Sequence, residues 1–189
     1  MIRLSASQGA ILGLLVDLGI PHKVMGGFPR DLHFGVEPKD FDIAVYGTLP
    51  GKIVELANEL RGLGLMVEEH INKPSMGNSD IRLIAVFGVI NGIDIICWET
   101  RYRTWHDVVS NFDFNVNMFV LQDVGDGNYA TNYVGDNYGV LKFQRTNTID
   151  DLRLAKIQAK ARDFHWEVDE DMALPCTQYE AEKPAIWWL

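Results

Sequence analysis

The sequence predicts an α+β fold: an α/β arrangement with helices packed on a mixed sheet. Three observations lead there. Apolar runs of strand length interleave with longer amphipathic stretches. Asn91-Gly92 sits between two apolar runs, a hairpin signal that makes at least one strand pair antiparallel. The 189 residues, 47% of them hydrophobic, suffice for one core around such a sheet.

The elements follow in order. Ser5 to Leu18 reads as a helix with Ser5 or Ser7 as N-cap, ended by Gly19 and Pro21. His22 to Met25 is a short strand running into Gly26. Phe28 to Phe34 is a short helix with Gly35 past its end. Phe41 to Tyr46 is the second strand. Lys52 to Arg61 is an amphipathic helix, because Ile53, Leu56, Ala57 and Leu60 share one face. Leu65 to His70 is a third strand, and a polar loop from Asn72 to Asp80 follows. Ile81 to Phe87 and Ile93 to Trp98 form the hairpin. Arg101 to Asn111 is a basic and aromatic connection. Phe114 to Gln122 begins as a helical turn and continues as a strand, and Asp123 to Asn128 is a turn. Leu152 to Phe164 is a helix with Thr148 or Asp150 as N-cap. From Glu167 the chain is acidic and broken by prolines. These elements divide into a domain over residues 1–145 and a short helical appendage with its tail over residues 146–189.

Composition narrows the function. The net charge is −9 and the sequence pI about 4.9, so any nucleic-acid surface must be a local patch. Cys97 and Cys176 lie far apart without metal-ligand spacing, which argues against a disulfide framework or a zinc site and predicts a reducing, cytoplasmic setting. His22, His33, His70, His106 and His165 form no ligand pair. No stretch has the apolar length of a membrane span, and no signal peptide is expected.

The chemistry concentrates between Val24 and Ile43. Asp40 and Asp42 are two apart at the start of a strand, so both carboxylates point to one side. Hard divalent ions take carboxylate oxygens held in that way. Gly26 and Gly27 leave backbone bare where a helix begins, a place that suits a phosphate. Pro29 fits the first helical turn, and Arg30 is placed to reach the same anion. Taken singly, an Asp-x-Asp or a Gly-Gly is usually a turn. Their order and spacing, with Arg30-Asp31 between them, point to phosphates beside metal ions, as nucleotidyl transfer requires.

GGFPRDLHFGVEPKDFDIAV resembles the GGxxRD…DxD pattern of the head domain of class II CCA-adding enzymes and bacterial poly(A) polymerases, in the polymerase-β-like nucleotidyltransferase superfamily. The resemblance implies a polymerase-β-like head with a short C-terminal helical neck, two Mg²⁺ ions and an NTP substrate, ATP or CTP. IDIICWETRYR looks like the family's strand that packs beside the Asp-x-Asp strand, which implies Asp94 as third carboxylate. An edge strand with Asp94 in water is the alternative. Asn111 to Asn117 resembles RRDFTxNA, matching at Asp113, Phe114 and Asn117, with Asn111 and Phe112 where two arginines would stand. In the family that segment contacts nucleotide sugar and phosphates. Here Arg101 or Arg103 would supply the charge, unless both are solvated. Asp113 is either a neighbour of the metal site or the partner of a backbone N–H.

Asp150-Asp-Leu-Arg153 resembles EDxxR, with Ile149 where the Glu would be. In CCA-adding enzymes that pair reads the base of the incoming nucleotide. Otherwise Asp150 caps a helix and Arg153 is a surface charge. The resemblance covers roughly Ile11 to Phe164, and the family's further helical domains have no counterpart in these 189 residues. It implies transfer of a nucleoside monophosphate to an RNA 3′ end, tRNA first, with release of pyrophosphate. Two rivals stand beside it: the same chemistry on a protein or small-molecule acceptor, or a non-catalytic nucleotide-binding module. A homo-oligomer or a partner protein would complete the RNA surface.

Overall fold

The computed structural model describes residues 1–71, 82–144 and 151–168. The first helix, α1 (Ala6–Asp17), is closed at its start by Ser5, which accepts from the Gln8 N–H while the Gln8 side chain accepts from the Ser5 N–H. Five strands form one mixed sheet: β1 (His22–Val24), β2 (Phe41–Val45), β5 (Ile93–Trp98), β4 (Leu83–Val89) and β3 (Met66–Ile71), in that spatial order. β2 and β5 run parallel, and the other neighbours are antiparallel.

Strand alternation decides which face is core. Phe41, Ile43, Ile93, Ile95, Phe87 and Val89 point to one side and pack with Ile11 and Leu15 of α1. Ile53, Leu56 and Leu60 of α3 (Pro50–Gly62) close the same cluster. The opposite face is covered only in part. Ala44, Ile96 and Trp98 meet Tyr102, Val108, Val109, Met118 and Val120 there. What the second cluster leaves uncovered is the row through Asp42 and Asp94.

The short helix α2 (Gly27–His33) links β1 to β2. A 3₁₀ turn (Asn115–Asn117) leads into the two-stranded sheet β6 (Phe119–Gly125) and β7 (Asn128–Tyr133). The last described helix, α5 (Asp151–Asp163), packs through Ala161, and beyond its end Phe164 and Trp166 join it against Phe114, Val116, Phe119 and Leu141.

Two elements were not expected. The connection from Arg101 to Asn111 contains α4 (Trp105–Val109), too short to show a helical period. It is fixed by Thr104 and Asp107, each accepting from the other's backbone N–H. β7 follows a tight turn through Asp126 and Gly127, both at positive φ. Its sequence gives no apolar run, yet Tyr129 and Tyr133, four apart, fall on one face of a strand. The alternative of an edge position for β5 is overturned: it lies centrally, between β2 and β4. The loop from Asn72 to Asp80, the cap at Thr148 or Asp150, and Cys176 lie outside the described residues.

Candidate active site

Asp42 lies directly across from Asp94 in the parallel register of β2 and β5. Paired residues face the same side of a sheet. Phe41, Ile43, Ile93 and Ile95 point into the core, so Asp42 and Asp94 point away from it. Asp40 is exposed and precedes β2 by one residue, with the same alternation. The structure thus sets Asp42 and Asp94 side by side on one sheet face, with Asp40 two residues before Asp42 in the chain.

The row continues across the sheet: Asp94 pairs with Gly88, and Gly88 with Glu68. A Cβ at Gly88 would stand 3.3 Å from the Glu68 Cβ and 3.7 Å from Asp94 Oδ1. Glycine at this position leaves the Asp94 carboxylate room over β4. His70, two residues along, pairs with Glu68 at 2.8 Å. Neither Glu68 nor His70 was singled out from sequence. Their period-two spacing on an expected strand was visible, but not which strands lie between them and Asp94.

The electrostatics follow from crowding. Burial, with the negative charges of Asp94 and Asp40, pushes the Asp42 carboxyl up to about 6. Burial also raises Asp94, helped by Asp40 and Glu68 and opposed by His70. Facing carboxylates titrate together, so the raised affinity for protons belongs to the pair.

A divalent cation would relieve the same repulsion. The donors are all oxygen, which suits a hard ion. Among the described residues, no three His, Cys, Asp or Glu side chains gather closely enough to enclose a metal unaided. Mg²⁺ does not need that cage, because it keeps waters and takes one or two carboxylates together with substrate phosphates. The residues therefore fit Mg²⁺ bound with a nucleotide.

The glycine turn follows β1, the strand that pairs with β2. Gly26 has φ +91°, accessible mainly to glycine, and donates its N–H to the Phe119 carbonyl at 2.9 Å. Gly27 opens α2, close to the Arg30 guanidinium. Arg30 is only 8% exposed. Its Nε donates to Asp31 Oδ1 at 2.7 Å, and Nη1 donates to the Asn117 side chain. Its guanidinium lies over the Phe164 ring, 5.6 Å from the centroid. Arg30 and Asn117, distant in sequence, thus meet as one polar unit between α2 and the 3₁₀ turn.

Asp113 has a different partner from either of those expected. Its side chain is 9% exposed, and its Oδ2 accepts from Arg153 Nη2 at 2.6 Å. Its Oδ1 is 3.7 Å from Arg82 Nη1, which also donates to the Asn111 carbonyl. Phe114 is fully buried in the core. Arg101 and Arg103 are exposed, and Arg101 pairs with Glu99. Asp150 lies outside the described residues. No helix of the described residues is long and apolar enough to cross a membrane.

No protein-family model matches the chain, and no curated protein matches it. Solved structures do. The Thermotoga maritima CCA-adding enzyme complexed with tRNA aligns with TM-score 0.58 and 21% identity, over 89% of this chain and 41% of that one. A CCA-adding enzyme in complex with ATP gives TM-score 0.57 and 21% identity, over 89% and 40%. The Bacillus stearothermophilus CCA-adding enzyme in complex with CTP gives 0.52 and 16%, over 86% and 40%. The chain spans less than half the length of these neighbours. Over most of its length the chain thus shares the fold of these CCA-adding enzymes, a mixed α/β arrangement around a five-stranded sheet.

Proposed function

We propose that this protein is a Mg²⁺-dependent nucleotidyltransferase that moves a nucleoside monophosphate from an NTP to an acceptor hydroxyl, the 3′ end of a tRNA-like RNA. The observation that carries the reading is the pairing of Asp42 with Asp94, with Asp40 beside them. Two neighbouring carboxylates on an open sheet face are unfavourable alone, and become favourable around a cation. Asp40 and Asp42 would hold both ions, and Asp94 would complete the position nearest the acceptor. When bound, Mg²⁺ supplies Lewis-acid stabilisation of the phosphates and a lowered pKa for the attacking hydroxyl.

The remaining roles fall to the chain's own groups. Gly26 and Gly27 give the triphosphate access to backbone. Arg30, oriented by Asp31 and Asn117, supplies positive charge beside it. Asp94, near the acceptor, helps take its proton. The acceptor oxygen bonds to the α-phosphorus, the bond to the β-phosphate oxygen breaks, and pyrophosphate leaves. Asp150 and Arg153 read the base of the incoming ATP or CTP. The solved neighbours support the substrate class, since they include complexes with ATP, CTP and tRNA.

A second reading keeps the chemistry but uses a protein or small-molecule acceptor. The net charge of −9 and the uncharged Asn111-Phe112 favour it. Incubating the full chain with α-labelled NTPs, Mg²⁺, total RNA and total protein decides. Label on RNA 3′ ends supports the first reading, and label elsewhere supports the second. No label with any acceptor overturns both and leaves a nucleotide-binding module.

A further inference from the structure

We infer that Asp113 is a positioning residue for base choice, acting through Arg153, an inference that rests on the nucleotide-binding role proposed above. Asp113 follows the uncharged Asn111-Phe112 and is nearly buried, whereas the Arg153 side chain is 56% exposed. A buried carboxylate is unfavourable unless it is paired. Here its two oxygens have two different guanidinium partners: Oδ1 faces Arg82 and Oδ2 faces Arg153. Arg82 is itself fixed, by the Asn111 carbonyl at 2.7 Å and by the Trp98 ring at 5.6 Å. The carboxylate therefore cannot rotate without losing one partner. The Arg153 guanidinium inherits that fixed direction at a 2.6 Å contact.

Holding α5 against the head does not require this contact. Seven residues along, on the same helical face, Lys160 pairs with Asp31 at 3.3 Å. Ala161, and Phe164 just beyond the helix, are buried below that pair. The Asp113 contact instead fixes the direction of one exposed guanidinium. A planar fork of donors discriminates nucleobase edges only when its plane is set. Asp113 anchors one nitrogen of that fork, Nη2, from a segment 40 residues away in the chain, and so narrows the planes the fork can take.

The test measures binding of ATP, CTP, GTP and UTP, each with Mg²⁺, to the full chain by calorimetry, alongside Tm. Asp113→Asn and Arg153→Ala should each change the ratio of the strongest to the weakest Kd by about tenfold or more. The double variant should change it no further, since both act on one contact. Asp113→Glu, which keeps the charge and moves it outward, should fold and still alter the ratio. Lys160→Ala should lower Tm and leave the ratio alone. An unchanged ratio in folded Asp113→Asn or Asp113→Glu, with the ratio altered in Arg153→Ala, overturns this inference alone. An unchanged ratio in Arg153→Ala overturns the base-reading role and this inference together. Absence of binding by the wild-type chain overturns the nucleotide reading itself.

Discussion

Asp42 and Asp94 face each other across adjacent parallel strands, 52 residues apart in the chain. The core holds them there. Each is flanked on both sides by residues that are almost fully buried on the opposite face, Phe41 and Ile43 for one, Ile93 and Ile95 for the other. Neither strand can slip by one residue without exchanging those apolar residues for a carboxylate.

Asp40→Ala or Asp42→Ala is expected to abolish transfer while the protein stays folded. Neither side chain contributes to the apolar core. Activity with Mg²⁺ in labelled-NTP assays, checked against circular dichroism, tests this. Near-normal transfer by a folded variant would remove the site from this row.

Stability should depend on pH through Asp42. Its folded carboxyl is raised from 3.8 to about 6, so between those values the native state binds more protons than the unfolded one. Stability is then full below the unfolded pKa and falls as pH rises through about 6. The amount at stake is on the order of 2–3 kcal/mol for a shift of that size. Asp42→Asn should flatten the profile and raise Tm at neutral pH. A Tm that rises from pH 4 to pH 7 equally in both proteins contradicts the assignment. Mg²⁺ with NTP should recover stability in the wild type and not in Asp42→Asn.

Arg30→Ala should cost both fold and binding. Removal leaves the buried Asp31 with Lys160 as its ion-pair partner among the described residues, at roughly 1.5–3 kcal/mol for the lost charge-assisted hydrogen bond. Weakening of NTP binding should be equal for the four bases, because phosphates carry no base identity. A base-selective loss would place Arg30 at the base.

Gly88→Ala tests the room beside Asp94. The added methyl meets the Glu68 Cβ at 3.3 Å, so Glu68 must give by a few tenths of an ångström, and it comes into contact with Asp94 Oδ1 at 3.7 Å, closing the space that carboxylate has over β4. Transfer should fall in kcat by about tenfold through an Asp94 carboxylate that has lost its room to adjust, with NTP binding and Tm little changed. Unaltered kcat would show that Asp94 does not need that space.

Cys97 should resist thiol reagents in the native protein. Burial in an apolar setting pushes its thiol up to about 12, so almost no thiolate exists at neutral pH. A Cys176→Ser variant isolates the signal. Reaction should appear only on unfolding, and rapid native labelling would contradict the buried position.

The sequence by itself determined much of this protein. Apolar spacing in Lys52 to Arg61 fixed the face of α3, and a serine at 5 or 7 marked the start of α1, because such patterns act over one or two helical turns; the structure chose Ser5, boxed with Gln8. The Asp40-x-Asp42 alternation and the Gly26-Gly27 turn were legible for the same local reason. Asn91-Gly92 signalled the β4–β5 hairpin, and the family resemblance implied β5 beside β2, but only the tertiary structure decided the full strand order and the register. Register depends on burial between distant segments, so the fold made β5 central and paired Asp94 with Asp42 residue for residue. It also put Gly88 and Glu68 in the same row. The same holds for charges. From the sequence Asp113 was a neighbour of the metal site or of a backbone N–H, and Arg153 a base reader or a surface charge; neither reading joined the two. They meet because α5 docks on the head through Phe164 and Ala161, and a buried carboxylate takes the guanidinium that this docking brings within reach.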